Sequence, residues 1–93
     1  MIRWIYSISS EEETATLALR VVAWTVSEQA RAERLLAITG IDPGTLRARL
    51  GEPALLGALI DFLLDHEPDL YACAEALDVT PAAIAAARER LNR

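Results

Sequence analysis

The chain has 93 residues, 53 % of them hydrophobic, which suits a single domain that buries a core without disulfides or metal. Its formal net charge is −5, and all of its basic residues are arginine. An acidic chain is repelled at long range by nucleic-acid phosphates and anionic membranes, so the charge argues against both as main partners. No stretch has the pattern of a targeting segment or a membrane span, and we expect a cytoplasmic protein.

The first nine residues, MIRWIYSIS, form the least regular part of the sequence. Their apolar residues alternate with period two, as in a strand, but no partner strand follows. Trp4, Ile5 and Tyr6 are costly to expose and belong to residue types favoured at interfaces. Docking on the domain, self-association and a disordered tail all remain open. We assign residues 1–9 to an N-terminal extension and 10–93 to one helical domain.

A first helix is predicted over Glu11–Val26. Ser10 and Glu13 have capping-box spacing, and three glutamates in its first turn oppose the positive end of the helix dipole. Its apolar residues fall on one face, which we expect to meet the core; they include Leu17, Val21 and Trp24.

A second helix is predicted from a cap at Ser27 to Thr39. Gly40 then supplies the left-handed residue that ends a helix, and Ile41 is placed to contact Leu36 as in a Schellman motif. The pattern therefore predicts a tight corner after this helix.

Asp42 and Pro43 open a short third helix that we expect to end at Leu50, since aspartate caps helices and proline fits the first helical position. The fourth helix, Pro53–His66, is apolar on nearly all sides, which is typical of a central helix. Gly57 within it is unfavourable by about 1 kcal/mol unless it permits close packing.

Pro68 begins a fifth helix that ends at Leu77. Asp78 to Pro81 then repeat the earlier stop-and-start pattern, and a sixth helix runs to Leu91. The two proline corners resemble each other, which suggests a two-hairpin pseudo-repeat. We predict an all-α fold: a compact bundle of five to six short helices with a central apolar helix.

The last two helices have the apolar spacing of a helix-turn-helix. A recognition helix, however, needs hydrogen-bond donors on its first turns, and here those positions hold alanines: Ala82, Ala83, Ala85 and Ala86. Nucleic-acid binding through the C-terminal arginines remains the alternative function; those residues are Arg88, Arg90 and Arg93.

Few residues have the type and spacing that catalysis or metal binding requires. Asp61, Asp65 and His66 could meet a divalent cation, but their spacing matches no established metal-binding loop, and a solvated acidic helix end is the simpler interpretation. Cys73 reads as core filling. No nucleophile has a motif that places it beside His66, and no glycine-rich loop is present. We therefore expect no catalysis, no cofactor and no bound metal.

Interaction with another protein is the function that remains. We expect a small interaction or regulatory module with an unknown protein partner, and a homodimer is one form of that interaction. The N-terminal aromatic residues are one candidate contact surface, and the apolar region of the fourth helix is the other; its residues are Leu55, Leu56 and Leu59.

Three segments carry a resemblance to a known family: ALRVVAW, LLAITGIDPGTLRARLGEPALLGALIDFLLDHEPDL and LDVTPAAIAAARERL. From Thr14 to Leu91 the chain resembles a bacterial family catalogued as domain of unknown function 3572, typical of alphaproteobacteria. Gly40, Asp42 and Pro43 lie in its most distinctive block. The resemblance implies a small helical protein and supplies no activity or catalytic residues. It does not extend to the first ten residues.

Overall fold

A computed structural model describes residues 10–91 of the chain. Within this range the chain folds into six α-helices and contains no β-strand, so the predicted all-α bundle is confirmed. The helices are α1 (Ser10–Val26), α2 (Gln29–Thr39), α3 (Pro43–Ala48), α4 (Pro53–Leu64), α5 (Glu67–Leu77) and α6 (Pro81–Leu91). The predicted contact residues Trp4, Ile5 and Tyr6 lie outside the described residues, as does Arg93.

The central position of α4 agrees with its composition. Seven of its twelve residues are buried, and α1, α2, α5 and α6 all pack against it. Ile60 and Leu63 are completely enclosed, and enclosing a large aliphatic side chain contributes roughly 1.5–3 kcal/mol. The helix ends at Leu64, before the predicted end at His66, because a break at Asp65 and His66 separates it from α5.

The structure corrects the contact surface that was predicted on α4. Leu55, Leu56 and Leu59 are only 4 %, 3 % and 3 % exposed, and they belong to the core. A helix that is apolar on all sides needs cover on all sides, and the neighbouring helices provide that cover within the same chain. These leucines are therefore unavailable to a partner of the folded domain.

The first proline corner combines a left-handed residue with an aspartate cap. Gly40 has φ 72°, and its N–H donates to the carbonyl of Leu36 at 2.9 Å. The N–H of Ile41 donates to the hydroxyl of Thr39 at 3.3 Å, and no bond from Ile41 closes a Schellman ring. Gly40 thus forms the simpler αL motif, and the Schellman prediction is wrong at this corner.

The second corner is the one that forms a Schellman motif. Asp78 takes the left-handed conformation at φ 57°, and its N–H donates to the carbonyl of Glu75 at 3.2 Å. The N–H of Val79 reaches back to the carbonyl of Ala74 at 3.0 Å, which completes the motif. The hydroxyl of Thr80 then caps α6 by accepting from the N–H of Ala83 at 3.0 Å. The corners share proline and a capping residue but end their helices differently.

Ser27 does not cap α2, contrary to the prediction. Its hydroxyl donates to the carbonyl of Trp24 at 2.6 Å and so belongs to the end of α1. Arg31 donates to the same carbonyl at 2.8 Å and places its guanidinium 3.7 Å from the centre of the Trp24 ring. Glu28 therefore stands at the N-cap position, without a side-chain capping bond.

Candidate functional site

α1 and α6 are neighbouring helices that contact each other in the bundle. On α1, Nη2 of Arg20 donates to the carbonyl of Leu77 at 3.0 Å, which places this arginine beside the end of α5 and the start of α6. Glu13 lies two turns earlier on α1 and borders the same space as Arg90 near the end of α6. The two helices consequently form the walls of one elongated depression.

This depression is an open groove of about 460 Å³, which we call the α1/α6 groove. From α1 it is lined by Glu13, Thr14, Thr16, Leu17 and Arg20, and from the second corner and α6 by Val79, Ala83, Ala86, Ala87 and Arg90. Most of these side chains are small or aliphatic, and the charged ones lie at the two ends. The volume is within the range of known binding pockets, about 300–1,000 Å³.

Thr14 gives the groove an unsatisfied polar group. The residue is only 4 % exposed, and its hydroxyl oxygen is buried with no hydrogen-bond partner among the described residues. Thr25, the other buried threonine on α1, donates its hydroxyl to the carbonyl of Val21 at 2.8 Å. Burying a hydroxyl without a hydrogen-bond partner costs about 1–3 kcal/mol.

The arginines of the groove differ from the others in their partners. Four of the seven arginines within residues 10–91 pair with a carboxylate: Arg31 with Glu28, Arg34 with Asp69, Arg49 with Glu52, and Arg88 with Asp61. Arg20, Arg47 and Arg90 have no ion pair with a carboxylate of residues 12–91. Two of these three line the groove, although the chain as a whole is acidic.

Arg88 and Arg90, the two described arginines of the predicted nucleic-acid contact, have different surroundings. Arg88 lies across α4, where Nε reaches Asp61 Oδ1 at 2.6 Å and Nη2 reaches Oδ2 at 2.9 Å. Gly57 makes room for it, because a Cβ there would stand 3.2 Å from Nη1. The bonds to Asp61 raise the pKa of Arg88. Arg90 lines the groove instead.

The predicted helix-turn-helix concerns α5 and α6, and one angle describes how these two helices are arranged. α5 and α6 are bent by 101° relative to each other, within the range of about 90–120° for such pairs. The first turns of α6 still present alanine, which offers no hydrogen bond to a base edge. No single helix within residues 10–91 is long and apolar enough to cross a membrane; only α5 and α6 together reach that length and apolarity, across their bend.

Two residues of the acidic cluster predicted at the end of α4 have contacts with other side chains. Asp61 is engaged by Arg88, whereas the ring of His66 stacks on Phe62 with centroids 5.7 Å apart. Residues 10–91 contain no group of three histidine, cysteine or acidic side chains placed to hold a metal ion. Cys73 is fully buried, and burial raises its pKa to about 11, so its thiol is protonated at neutral pH.

The comparison with protein families assigns the chain. The family model described as "Protein of unknown function (DUF3572)" matches residues 11–93. The chain belongs to this family. A search of curated proteins and a search of solved structures found no match. Membership in the DUF3572 family agrees with the resemblance seen in the sequence. The boundary between extension and domain at residues 9 and 10 stays a prediction.

Sequence reasoning missed the groove. Its signal is the spacing on α6, where Ala83, Ala86 and Arg90 recur three or four positions apart and so share one helical face. On α1, Arg20 falls in the middle of an apolar helix. Neither the spacing on α6 nor the position of Arg20 predicts a groove from the sequence, because the contact between α1 and α6 is known only from the structure.

Proposed function

We propose that the protein is a protein-interaction module that acts by binding and not by catalysis, and that an apolar segment of a partner protein binds in the α1/α6 groove. The observation that supports this is the groove itself. Small side chains such as Ala83 and Ala86 leave space between two helices that are otherwise in close contact. A concave strip of this kind accepts the larger side chains of a partner helix or extended segment.

The dimensions fit a short segment. Glu13 and Arg20 mark the two ends of the groove on α1, and seven residues of helix rise about 10 Å. Two turns of an amphipathic helix present apolar residues over the same length. The larger exposed apolar side chains, such as Ile38 at 60 % and Tyr71 at 55 %, do not line this groove, and single exposed residues of this kind are common on monomeric proteins.

A display selection with short random peptides tests the proposal on the full chain. Ala86 is exposed and lines the groove, so Ala86→Glu places a charged side chain in the space that the segment needs. Ala82 is exposed on the same helix but does not line the groove, so Ala82→Glu is the matched control. Circular dichroism checks that both variants keep their helices.

We expect peptides that are enriched on the unmodified chain to bind Ala82→Glu equally and to lose binding to Ala86→Glu. Enriched peptides that bind Ala86→Glu as well as the unmodified chain would overturn the proposal. The absence of any enrichment would overturn it as well. Self-association through this surface stays a separate prediction, which sedimentation of the two variants checks.

A further inference from the structure

We infer that the segment bound in the α1/α6 groove carries a carboxylate that pairs with Arg20, next to the apolar residues that fill the groove. This inference rests on the proposed function and adds the chemistry of the partner. It is carried by Arg20, which has no carboxylate partner within residues 12–91, and by the hydroxyl of Thr14, which has no hydrogen-bond partner among the described residues.

Arg20 is held in place but is not neutralised. Its Nη2 donates to the carbonyl of Leu77 at 3.0 Å, and this bond anchors the guanidinium at the carboxyl end of α5. A guanidinium has five N–H donors, so most of them remain for a ligand. Its planar fork matches a carboxylate with two parallel hydrogen bonds. The residue is exposed, and a ligand reaches it without moving the core.

The other charged residues of the lining leave Arg20 as the position that favours a negatively charged group on the bound segment. Glu13 and Arg90 also line the groove, and their opposite formal charges cancel in the sum over its lining. No acidic residue lines the groove beside Arg20. The lining therefore carries a net positive charge on a chain of net charge −5, and this contrast favours an acidic occupant.

The N-terminal nine residues of the chain do not have the required chemistry. They include the apolar Trp4, Ile5 and Tyr6, but their only charged side chain is Arg3. These nine residues therefore supply no side-chain carboxylate for Arg20. The buried hydroxyl of Thr14 has no hydrogen-bond partner among the described residues. We therefore expect the bound segment to carry a polar group beside its apolar residues.

The same peptide selection, repeated on two arginine variants, tests the inference. Arg20→Gln removes the charge from the groove, and Arg47→Gln removes the charge of an exposed arginine that does not line it. We expect aspartate and glutamate to be over-represented among peptides selected by the unmodified chain and by Arg47→Gln. That excess disappears with Arg20→Gln.

Fluorescence anisotropy then measures the charge contribution with the most enriched peptide. Replacement of its acidic residue by glutamine is expected to weaken binding to the unmodified chain by roughly three- to tenfold. The same replacement has no effect on binding to Arg20→Gln. Raising the salt concentration reduces the difference in affinity between the acidic peptide and its glutamine variant, because salt screens an exposed ion pair.

The outcomes separate this inference from the proposed function. Peptides that are blocked by Ala86→Glu but show no acidic excess would overturn the carboxylate inference and leave the groove as the binding site. An acidic excess that persists with Arg20→Gln would also overturn it. If no peptide is enriched, or if the enriched peptides bind Ala86→Glu as well as the unmodified chain, the proposed function itself is overturned.

Discussion

Threonine hydroxyls within helices commonly bond to the carbonyl one turn earlier, and two threonines here behave in this way. Thr25 donates to Val21 at 2.8 Å, and Thr39 donates to Leu35 at 2.7 Å. Thr14 has no such bond although it is 4 % exposed. We interpret the Thr14 hydroxyl as a hydrogen-bonding group for the segment that binds in the groove. In the free protein this unpartnered hydroxyl lowers the free energy of unfolding.

Replacement of Thr14 by valine tests this interpretation. Valine has the same shape and removes only the unsatisfied hydroxyl, so we expect Thr14→Val to raise the free energy of unfolding by about 1 kcal/mol. Urea denaturation followed by circular dichroism measures the change. Thr25→Val removes a satisfied hydroxyl and is expected to give no such gain. Equal or lower stability of Thr14→Val would contradict the interpretation.

The cap of α3 makes part of the stability pH-dependent. Asp42 accepts from the Thr45 N–H at 2.9 Å and from the Thr45 hydroxyl at 2.8 Å, and these bonds, the backbone bond first, lower its pKa. A pKa that is lower in the folded state than in the unfolded state stabilises the fold above the unfolded pKa. This contribution is lost as the pH falls through the folded pKa.

Asp42→Ala should therefore be less stable than the unmodified chain at neutral pH, and the difference should shrink toward zero in strongly acidic solution. Urea midpoints measured for both proteins across the acidic range give this difference directly. Asp42→Asn keeps an acceptor without a titrating group and serves as the control. A difference that does not change with pH would show that the charge of Asp42 is not involved.

At the scale of the helices, local signals predicted most starts and stops. Gly40, Asp42, Pro43 and Pro53 act where the sequence indicates, because capping and the φ angle of proline depend on neighbouring residues only. Ser27 misled the prediction, because its hydroxyl bonds to the carbonyl of Trp24 at the end of α1 and not to the first turn of α2.

The pairing of α4 with α6 was not predictable for the same reason. Gly57 and Arg88 are far apart in the chain, and the sequence suggested only that this glycine could permit a close approach. The structure shows that the group that approaches is the guanidinium of Arg88, which also holds Asp61. An arginine considered for nucleic acid thus joins two helices.

A double-mutant cycle measures how strongly this pair couples the helices. We expect Arg88→Ala and Asp61→Ala together to show a coupling free energy of roughly 0.5–1 kcal/mol, because the bonds are bidentate but Asp61 is half exposed. The cycle at Arg49 and Glu52, an exposed pair within one turn, is expected to give a smaller value. A coupling near zero between Arg88 and Asp61 would contradict this account.

At the scale of the whole molecule, composition and periodicity were sufficient for the fold class and for the central place of α4. They were insufficient for the surface. Leu55, Leu56 and Leu59 suggested a contact face only while their covering helices were unknown, and all three are buried. The groove exists only because α1 and α6 are neighbours in the fold. In the sequence, the four helices α2 to α5 lie between Arg20 and Val79.

The chemistry of the surface also emerges only at this scale. Arg20 and Arg90 are distant in sequence, and each alone has the appearance of an ordinary surface arginine. In the fold they border one groove, while most of the other arginines within residues 10–91 are paired with carboxylates. The contrast between paired and unpaired arginines is a property of the assembled bundle.

The central claim is that a partner segment binds between α1 and α6. The most direct test is nuclear magnetic resonance of the full, isotope-labelled chain titrated with the most enriched peptide. We expect amide shifts concentrated on residues 13–20 and 79–90. Shifts centred instead on α2 around Ile38, which is 60 % exposed, or no localised shifts at all, would contradict it.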